Sequence, residues 1–482
     1  MLFNSLHFLI FLPIVVYLYF LLPLKARRVF LLLASYYFYM CWKPEYVILI
    51  LFSTAMDYYL GLRIDAVKER KKKRGYLTLS LFCNLGFLFA FKYFNFFSES
   101  ARFLFAKFNV FHDFPVFHVL LPVGISFYIF QSLSYTIDVY RNEKSAEKDF
   151  TLFALYVAYF PQLVAGPIER STHLLPQLSK VHEFSWERVK IGLRLMLWGF
   201  FKKIVLADNL AVIVDQSYHA PQASSGAALL LATYCFAFQI YYDFSGYTDI
   251  ARGASKIFGI DLMQNFRQPY FSRSIVEFWQ RWHISLSTWF RDYLYLPLGG
   301  ARVAPFRWVS NILVVFLLSG LWHGANWTFV VWGALHGAAY LFVKATHSKR
   351  KKLMEAVFLD RFLIVRRIIN MALVFNFVSF AWIFFRAKSV TDAGIVISKI
   401  YQSIVSCDLW ANLSQQSFDM IIWIGLIIFI EFGQKIEEKV SFGHDAPVRL
   451  PIFLRWSIYY LAFFVILTLG NFHSQQFIYF QF

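Results

Sequence analysis

Thirteen apolar stretches separated by short charged loops constrain this chain more than any single motif. They are Leu2–Leu22, Val29–Cys41, Tyr46–Leu62, Tyr76–Phe97, Val116–Ile137, Leu152–Gly166, Val189–Val214, Gly226–Tyr242, Val309–Leu318, Trp327–Val343, Ile368–Phe385, Met420–Phe432 and Ile452–Leu469. A helix that crosses a bilayer needs about 20 predominantly apolar residues. Several of the stretches are too short for that and are expected to be re-entrant or broken. About 11 (roughly 9–13) are expected to cross. Of the 482 residues, 59% are hydrophobic and only 16% charged, where a water-soluble domain carries roughly a quarter charged. The fold class expected is therefore all-α and polytopic, set in the lipid bilayer.

Charge then orients the chain. A net charge of +18 in a soluble protein would suggest nucleic acid. Here the basic residues sit in loops between apolar runs, so the positive-inside rule and anionic headgroups account for them, and no nucleic-acid partner is expected. The clusters are Lys25/Arg27/Arg28, Arg63–Arg74, Arg141–Lys148 and Lys344–Lys352. Placing all four in the cytoplasm puts the N-terminus, Lys43–Glu45 and Phe97–Pro115 outside. The first stretch lacks a basic leader and a small-residue cleavage site, so it reads as a retained span. Cys41, Cys83, Cys235 and Cys407 are far apart and form no C-x-x-C pair; they read as packing residues.

One segment breaks the pattern. Asp249–Arg307 carries Arg252, Lys256, Asp261, Arg267, Arg273, Glu277, Arg281, Arg291 and Asp292 among many aromatics. It is too polar to span and too aromatic for a disordered linker. Irregular backbone at membrane depth survives only where protein or water covers it, so short helices and re-entrant pieces that shape a cavity are expected here. No repeat or separate soluble domain is visible. The chain divides into an N-terminal helical part (1–248), this polar-aromatic region (249–307), a third part (308–345) and C-terminal helices (346–482).

Twelve histidines are present, and nine of them (His7, His112, His118, His173, His182, His219, His347, His444 and His473) fall in loops or near span ends. His323 instead ends an apolar run, LLSGLWHGANW, where a titratable group is costly and usually functional. Histidine also suits general-base work near neutral pH. Glycines 320 and 324 permit close backbone approach, and Asn326 is placed to orient the ring or donate to an oxyanion. His283 lies in FWQRWHISLSTWF; helix over Glu277–Trp289 would put Trp279 and His283 on one face and let Glu277 pair with Arg281. Spacing leaves open whether His283 packs or reacts. His336, in GALHGAAY, has Gly333 and Gly337 at a helix-packing spacing and is assigned to packing. Asp243 and Asp249, in YYDFSGYTDIARG, read as holding a histidine or substrate, or as pairing with Arg252 at a helix end. No H-E-x-x-H, G-x-S-x-G, P-loop or G-x-G-x-x-G is present, so no metal site, serine hydrolase or nucleotide-driven pump is indicated.

DFSGYTDIARG, NFRQPYFSRSIVEFWQRWHISLSTWFRDYLYLPLGG, LLSGLWHGANW, VAGPIER, LLPVGISFYIFQSLSYTIDVYR and the terminal FIYFQF together resemble the membrane-bound O-acyltransferases (MBOAT). Within them the chain looks most like the bacterial alginate and polysaccharide O-acetylation group, and it is similar to the teichoic-acid D-alanyl transfer group. The resemblance implies a ring of helices around a thin centre pierced by a tunnel, with His323 catalytic at its neck and His283 the second family histidine. Trp322, Asn326, Trp279, Trp282 and Asp243 are then candidates for lining the tunnel. It further implies that an acyl group passes from a cytoplasmic thioester to a hydroxyl on the other side, with acetyl-CoA or an acyl carrier protein as donor co-substrate, no bound cofactor and no metal. A polysaccharide acceptor and an extracytoplasmic SGNH-type partner are expected, in a bacterial cytoplasmic membrane. Apolar sequence past Met420 favours the acetylating group over D-alanyl transfer. A glycan or lipid transporter would need charged residues along several helices and repeat symmetry, and neither is visible.

Overall fold

The computed structural model describes residues 1–108, 122–164, 166–349, 362–406, 422–433, 451–472 and 477–478. His112, His118, His444, His473, Cys407, the start of the Val116–Ile137 stretch, the end of the Lys344–Lys352 cluster, and most of FIYFQF lie outside them. In chain order the helices are α1 Leu6–Leu21, α2 Leu24–Met40, α3 Val47–Ala66, α4 Arg70–Leu88, α5 Phe94–Lys107, α6 Ile125–Tyr140, α7 Phe150–Ala158, α8 Phe160–Leu163, α9 Ser171–Ser179, α10 Trp186–Phe200 and α11 Asp208–His219. They continue as α12 Gly226–Ile257, α13 Ile275–Arg281, α14 Ile284–Phe290, α15 Pro305–His323, α16 Trp327–Ala345, α17 Leu363–Arg386 and α18 Val390–Val405. The last two are α19 Ile422–Gly433 and α20 Ile452–Leu469. A π-helical turn, Phe89–Tyr93, joins α4 to α5, and another, Phe201–Ala207, joins α10 to α11.

Among the described residues seven helical runs are long and apolar enough to cross a membrane: Pro44–Ala66, Arg70–Lys107, Gly226–Ile257, Pro305–His323, Trp327–Ala345, Leu363–Arg386 and Ile452–Leu469. Shorter apolar helices, α1 and α19, accompany them. The outer helices expose rows of large apolar side chains, such as Leu6, Ile10 and Ile14 on α1 or Leu363, Ile364 and Ile368 on α17. Patches of that size on a soluble surface would aggregate; against lipid they are the solvated face. The chain is a multi-pass helical membrane protein.

The basic loops gather on one face. Arg27 donates to the carbonyl of His182 (3.0 Å), Arg28 pairs with Asp149 (3.4 Å), and Lys73 donates to Asn142 (2.9 Å). Arg141 reaches the carbonyl of Asp292 (3.1 Å), which brings the end of the polar-aromatic region to this same face. At the opposite face Trp327 donates to Ser100 (3.2 Å) and Asn326 to the carbonyl of Lys388 (3.0 Å).

Two stretches depart from the simple span pattern. Leu152–Gly166 is broken: Tyr159 leaves helical geometry, and Pro161 opens the short α8. Conversely, α12 runs unbroken across residues 248 and 249 and ends at Ile257. Charge compensation explains this. Asp249 is bonded by Arg252 one turn on (3.2 Å) and by Lys202 from the neighbouring π-helical turn (2.5 Å), so the helix continues buried with its charges paired.

Helices α15 and α16 pack backbone to backbone. A Cβ at Gly320 would stand 2.2 Å from the carbonyl oxygen of Phe329, and one at Gly333 would stand 2.3 Å from that of Phe316. Small residues thus set the closest approach of the two helices, and this contact lies one turn from His323.

Candidate active site

His323 is the last residue of α15, about 27 Å along the helix axis from Pro305 near the basic face. The extended Gly324 ends the helix (φ −165°), and Asn326 starts the next by accepting a hydrogen bond from the Thr328 amide (3.0 Å). A break between two packed helices therefore fixes the His323 side chain, which is 2% exposed.

His283 arrives from the opposite direction in the chain. Ser274 caps α13 by accepting from the Glu277 amide (3.1 Å), and Glu277 pairs with Arg273 (3.1 Å) and, as its spacing suggested, with Arg281 (2.7 Å). Glu277–Trp289 is not one continuous helix but parts of two short ones. The first stops at Arg281, and His283 takes a left-handed conformation (φ 42°, ψ 55°) before α14 begins. Trp279 and His283 accordingly do not share a helical face. A non-glycine residue held there costs about 1–2 kcal/mol and needs external support. Asn265 supplies it: its carbonyl accepts from Ile284 N–H (2.9 Å) and its side chain from Ser285 N–H (3.3 Å). Ser285 in turn accepts from the amide of Ile168, in VAGPIER (3.0 Å).

The two imidazoles meet. Their ring centroids are 6.2 Å apart, both side chains are buried, and Trp322 stands 5.8 Å from His283 and 5.0 Å from His323. Phe244 (4.7 Å) packs edge-on against His283, while Trp332 (5.2 Å) and Phe385 (5.3 Å) pack against His323. A water-poor aromatic wall thus surrounds both rings, a setting in which fixed dipoles act strongly.

The other candidates divide. Trp279 lies one layer further from His323, edge-on to His336 (5.1 Å) and Trp332 (5.7 Å). Trp282 is fully buried against Trp382 (5.1 Å) and Phe266 (5.0 Å). Asn326 spends its side chain on the α16 cap and the Lys388 carbonyl, away from an orienting role on the imidazole. Asp243 is engaged as an anchor: Lys203 lies 2.8 Å away and the Ile478 amide donates to it (2.7 Å), while Lys203 also holds Asp208 (2.7 Å). His336 does sit beside packed glycines, but its ring also faces the aromatic layer, 4.8 Å from Trp332. Among the described residues no group of three or more His, Cys, Asp or Glu side chains converges as a metal cluster would.

On the face opposite the basic loops a cavity of about 430 Å³ opens next to His323. It is lined by Phe91, Lys92, Gly324, Asn326, Thr328, Phe385, Arg386 and Lys388, among others. Sequence reasoning passed over Lys92 in this cavity, although a lone lysine inside the apolar run Tyr76–Phe97 was signal enough. Phe244, Trp332 and Phe385 were also passed over, because aromatics are abundant everywhere in the chain and nothing local marks the ones that enclose a site.

Residues 38–390 match the model of the MBOAT, membrane-bound O-acyltransferase family. The chain is 41% identical over 396 residues to the probable alginate O-acetylase of Azotobacter vinelandii, covering 82% of this chain and 76% of that one. It is 34% identical over 426 residues to the peptidoglycan O-acetyltransferase of Helicobacter pylori (82% and 78% covered). The teichoic acid D-alanyltransferase of Bacillus subtilis is 26% identical over 288 residues (57% and 71%).

Proposed function

Because the chain belongs to the membrane-bound O-acyltransferase family, and is thus an O-acyltransferase, we propose that it moves an acetyl group across the membrane for O-acetylation of a cell-surface polysaccharide. The relatives at 34–41% identity are named for alginate and peptidoglycan acetylation, which supports acetyl over D-alanyl as the group carried. The single observation that carries the chemistry is the meeting of His283 and His323, from segments 40 residues apart, next to a cavity on the face away from the basic loops.

In this reading the basic face is cytoplasmic and receives the donor, an acetyl thioester such as acetyl-CoA, while the N-terminus and the cavity are extracytoplasmic. A hydroxyl is a weak nucleophile until a base removes its proton as the new bond forms. His323 takes that proton while the hydroxyl oxygen attacks the thioester carbonyl. The tetrahedral oxyanion needs a donor, and the candidates are His283 and the indole N–H of Trp322, which is buried with no hydrogen-bond acceptor among the described residues. The oxyanion then collapses, the carbon–sulfur bond breaks, and the leaving thiolate takes from His323 the proton that came from the hydroxyl. The balance is an ester and a free thiol. The ester leaves on the polysaccharide or on an extracytoplasmic SGNH-type partner that passes it on.

The test is to delete the chain in a host that carries it and count acetyl and D-alanyl esters on the isolated surface glycans. Loss of acetyl esters, restored by the intact gene, is expected. Loss of D-alanyl esters with acetyl unchanged would overturn the assignment in favour of the D-alanyl reading.

A further inference from the structure

Lys92 lies in the π-helical turn Phe89–Tyr93, the wider winding that lets one segment present adjacent side chains to a neighbour. Its ammonium donates to the carbonyl of Trp322 (2.7 Å) and to that of His323 (3.2 Å), and the hydroxyl of Tyr93 donates to the carbonyl of Leu321 (2.9 Å). Three consecutive carbonyls at the end of α15, the ones a helix terminus leaves unbonded within itself, are thus capped from a helix about 230 residues away in sequence. A cation at a helix C-terminus also complements the helix dipole. A lysine in an apolar run is an expensive way to cap a helix that a neutral side chain would cap more cheaply.

We infer that Lys92, supported by Tyr93, is the positioning residue that holds His323 at its working place. The inference rests on His323 being the base. Lys92 acts through the main chain, since its bonds go to carbonyls, and it also lines the cavity beside His323. Without it the last turn of α15 is free to fray, and the imbalance falls on the one side chain whose placement sets the rate. A displacement of about 1 Å at a reacting group costs on the order of a hundred-fold in rate.

The experiment compares wild type with Lys92→Met, Lys92→Gln, Tyr93→Phe and His323→Ala in vesicles, measuring thioester-dependent acyl transfer per folded molecule. Lys92→Met is expected to lower kcat about a hundred-fold with KM for the thioester within about twofold. Lys92→Gln, which keeps an N–H donor without the charge, is expected to recover part of the loss. Tyr93→Phe is expected to lose only a few-fold. Carbethoxylation of His323, followed on its own peptide, is expected to quicken in Lys92→Met, a readout that does not depend on turnover. If Lys92→Met does not accumulate, Lys92→Gln carries the test. Folded Lys92 variants with wild-type kcat and unchanged His323 modification overturn the inference. An active His323→Ala protein instead overturns the base assignment on which it rests.

Discussion

The backbone contact between α15 and α16 yields the sharpest prediction about how the fold sets the site. Gly320→Ala would place a Cβ 2.2 Å from the Phe329 carbonyl oxygen, where heavy atoms normally sit roughly 3.5 Å apart. Relief requires the two helices to part by about 1 Å, because the obstructing atom is backbone and cannot rotate away. Overpacking of this kind costs about 1–3 kcal/mol, and the separation carries His323, one turn along, away from His283. The expected result is a stability loss in that range together with a fall in acyl transfer on the order of a hundred-fold. Gly337→Ala on the same helix pair is the internal comparison. Its Cβ would stand 3.2 Å from Phe316 Cβ and 3.3 Å from Leu313 Cδ2, an overlap that a shift of a few tenths of an ångström relieves. Melting in detergent and initial rates in vesicles, measured side by side, decide the matter. If Gly320→Ala and Gly337→Ala are equally mild in both, the close approach of these helices does not position His323.

Three further outcomes follow from other parts of the structure. At position 283, glycine should be more stable than alanine by about 1 kcal/mol, since only alanine pays for the left-handed backbone, and both should lose transfer; equal melting midpoints would remove the strain argument. Lys203→Met should destabilise the protein by about 3–5 kcal/mol, because it strands the buried carboxylates of Asp208 and Asp243; an unchanged melt would show that the triad contributes nothing. On the basic face, the hydrogen bond that His173 Nδ1–H donates to the Glu169 carboxylate (2.7 Å) holds the His173 pKa above its ordinary 6.5. The resulting stabilisation should be complete below about pH 6.5 and fade as pH rises through the folded value. Because the His173 side chain is 44% exposed the effect is screened, so the melting gap between wild type and His173→Gln should be small and close toward alkaline pH. A gap that widens there would reverse the sign.

Much of this architecture is legible in the sequence because lipid enforces it. Apolar length and basic loops locate the helices, and the cost of charge at membrane depth singles out His323. The resemblance adds His283 as its companion. What the sequence hides is long-range pairing. Asp249 looks like the edge of a polar segment until Lys202 is seen to bond it, and Asp243 looks available until Lys203 and the Ile478 amide are seen to occupy it. Periodicity is also blind to the left-handed break within Glu277–Trp289, which Asn265 braces from outside the segment. The carbonyl cap from Lys92 likewise joins residues that no local pattern connects.

The proposed chemistry turns on His323 as the base of an acyl transfer. Its most direct test is transfer from an acetyl thioester to a hydroxyl acceptor by the purified protein in sealed vesicles, comparing His323→Ala with wild type at equal folded amount. Loss of general-base assistance should lower the rate by about 10²–10⁴-fold, with thioester binding retained. A His323→Ala protein that transfers acetyl at the wild-type rate would show that His323 is not the base.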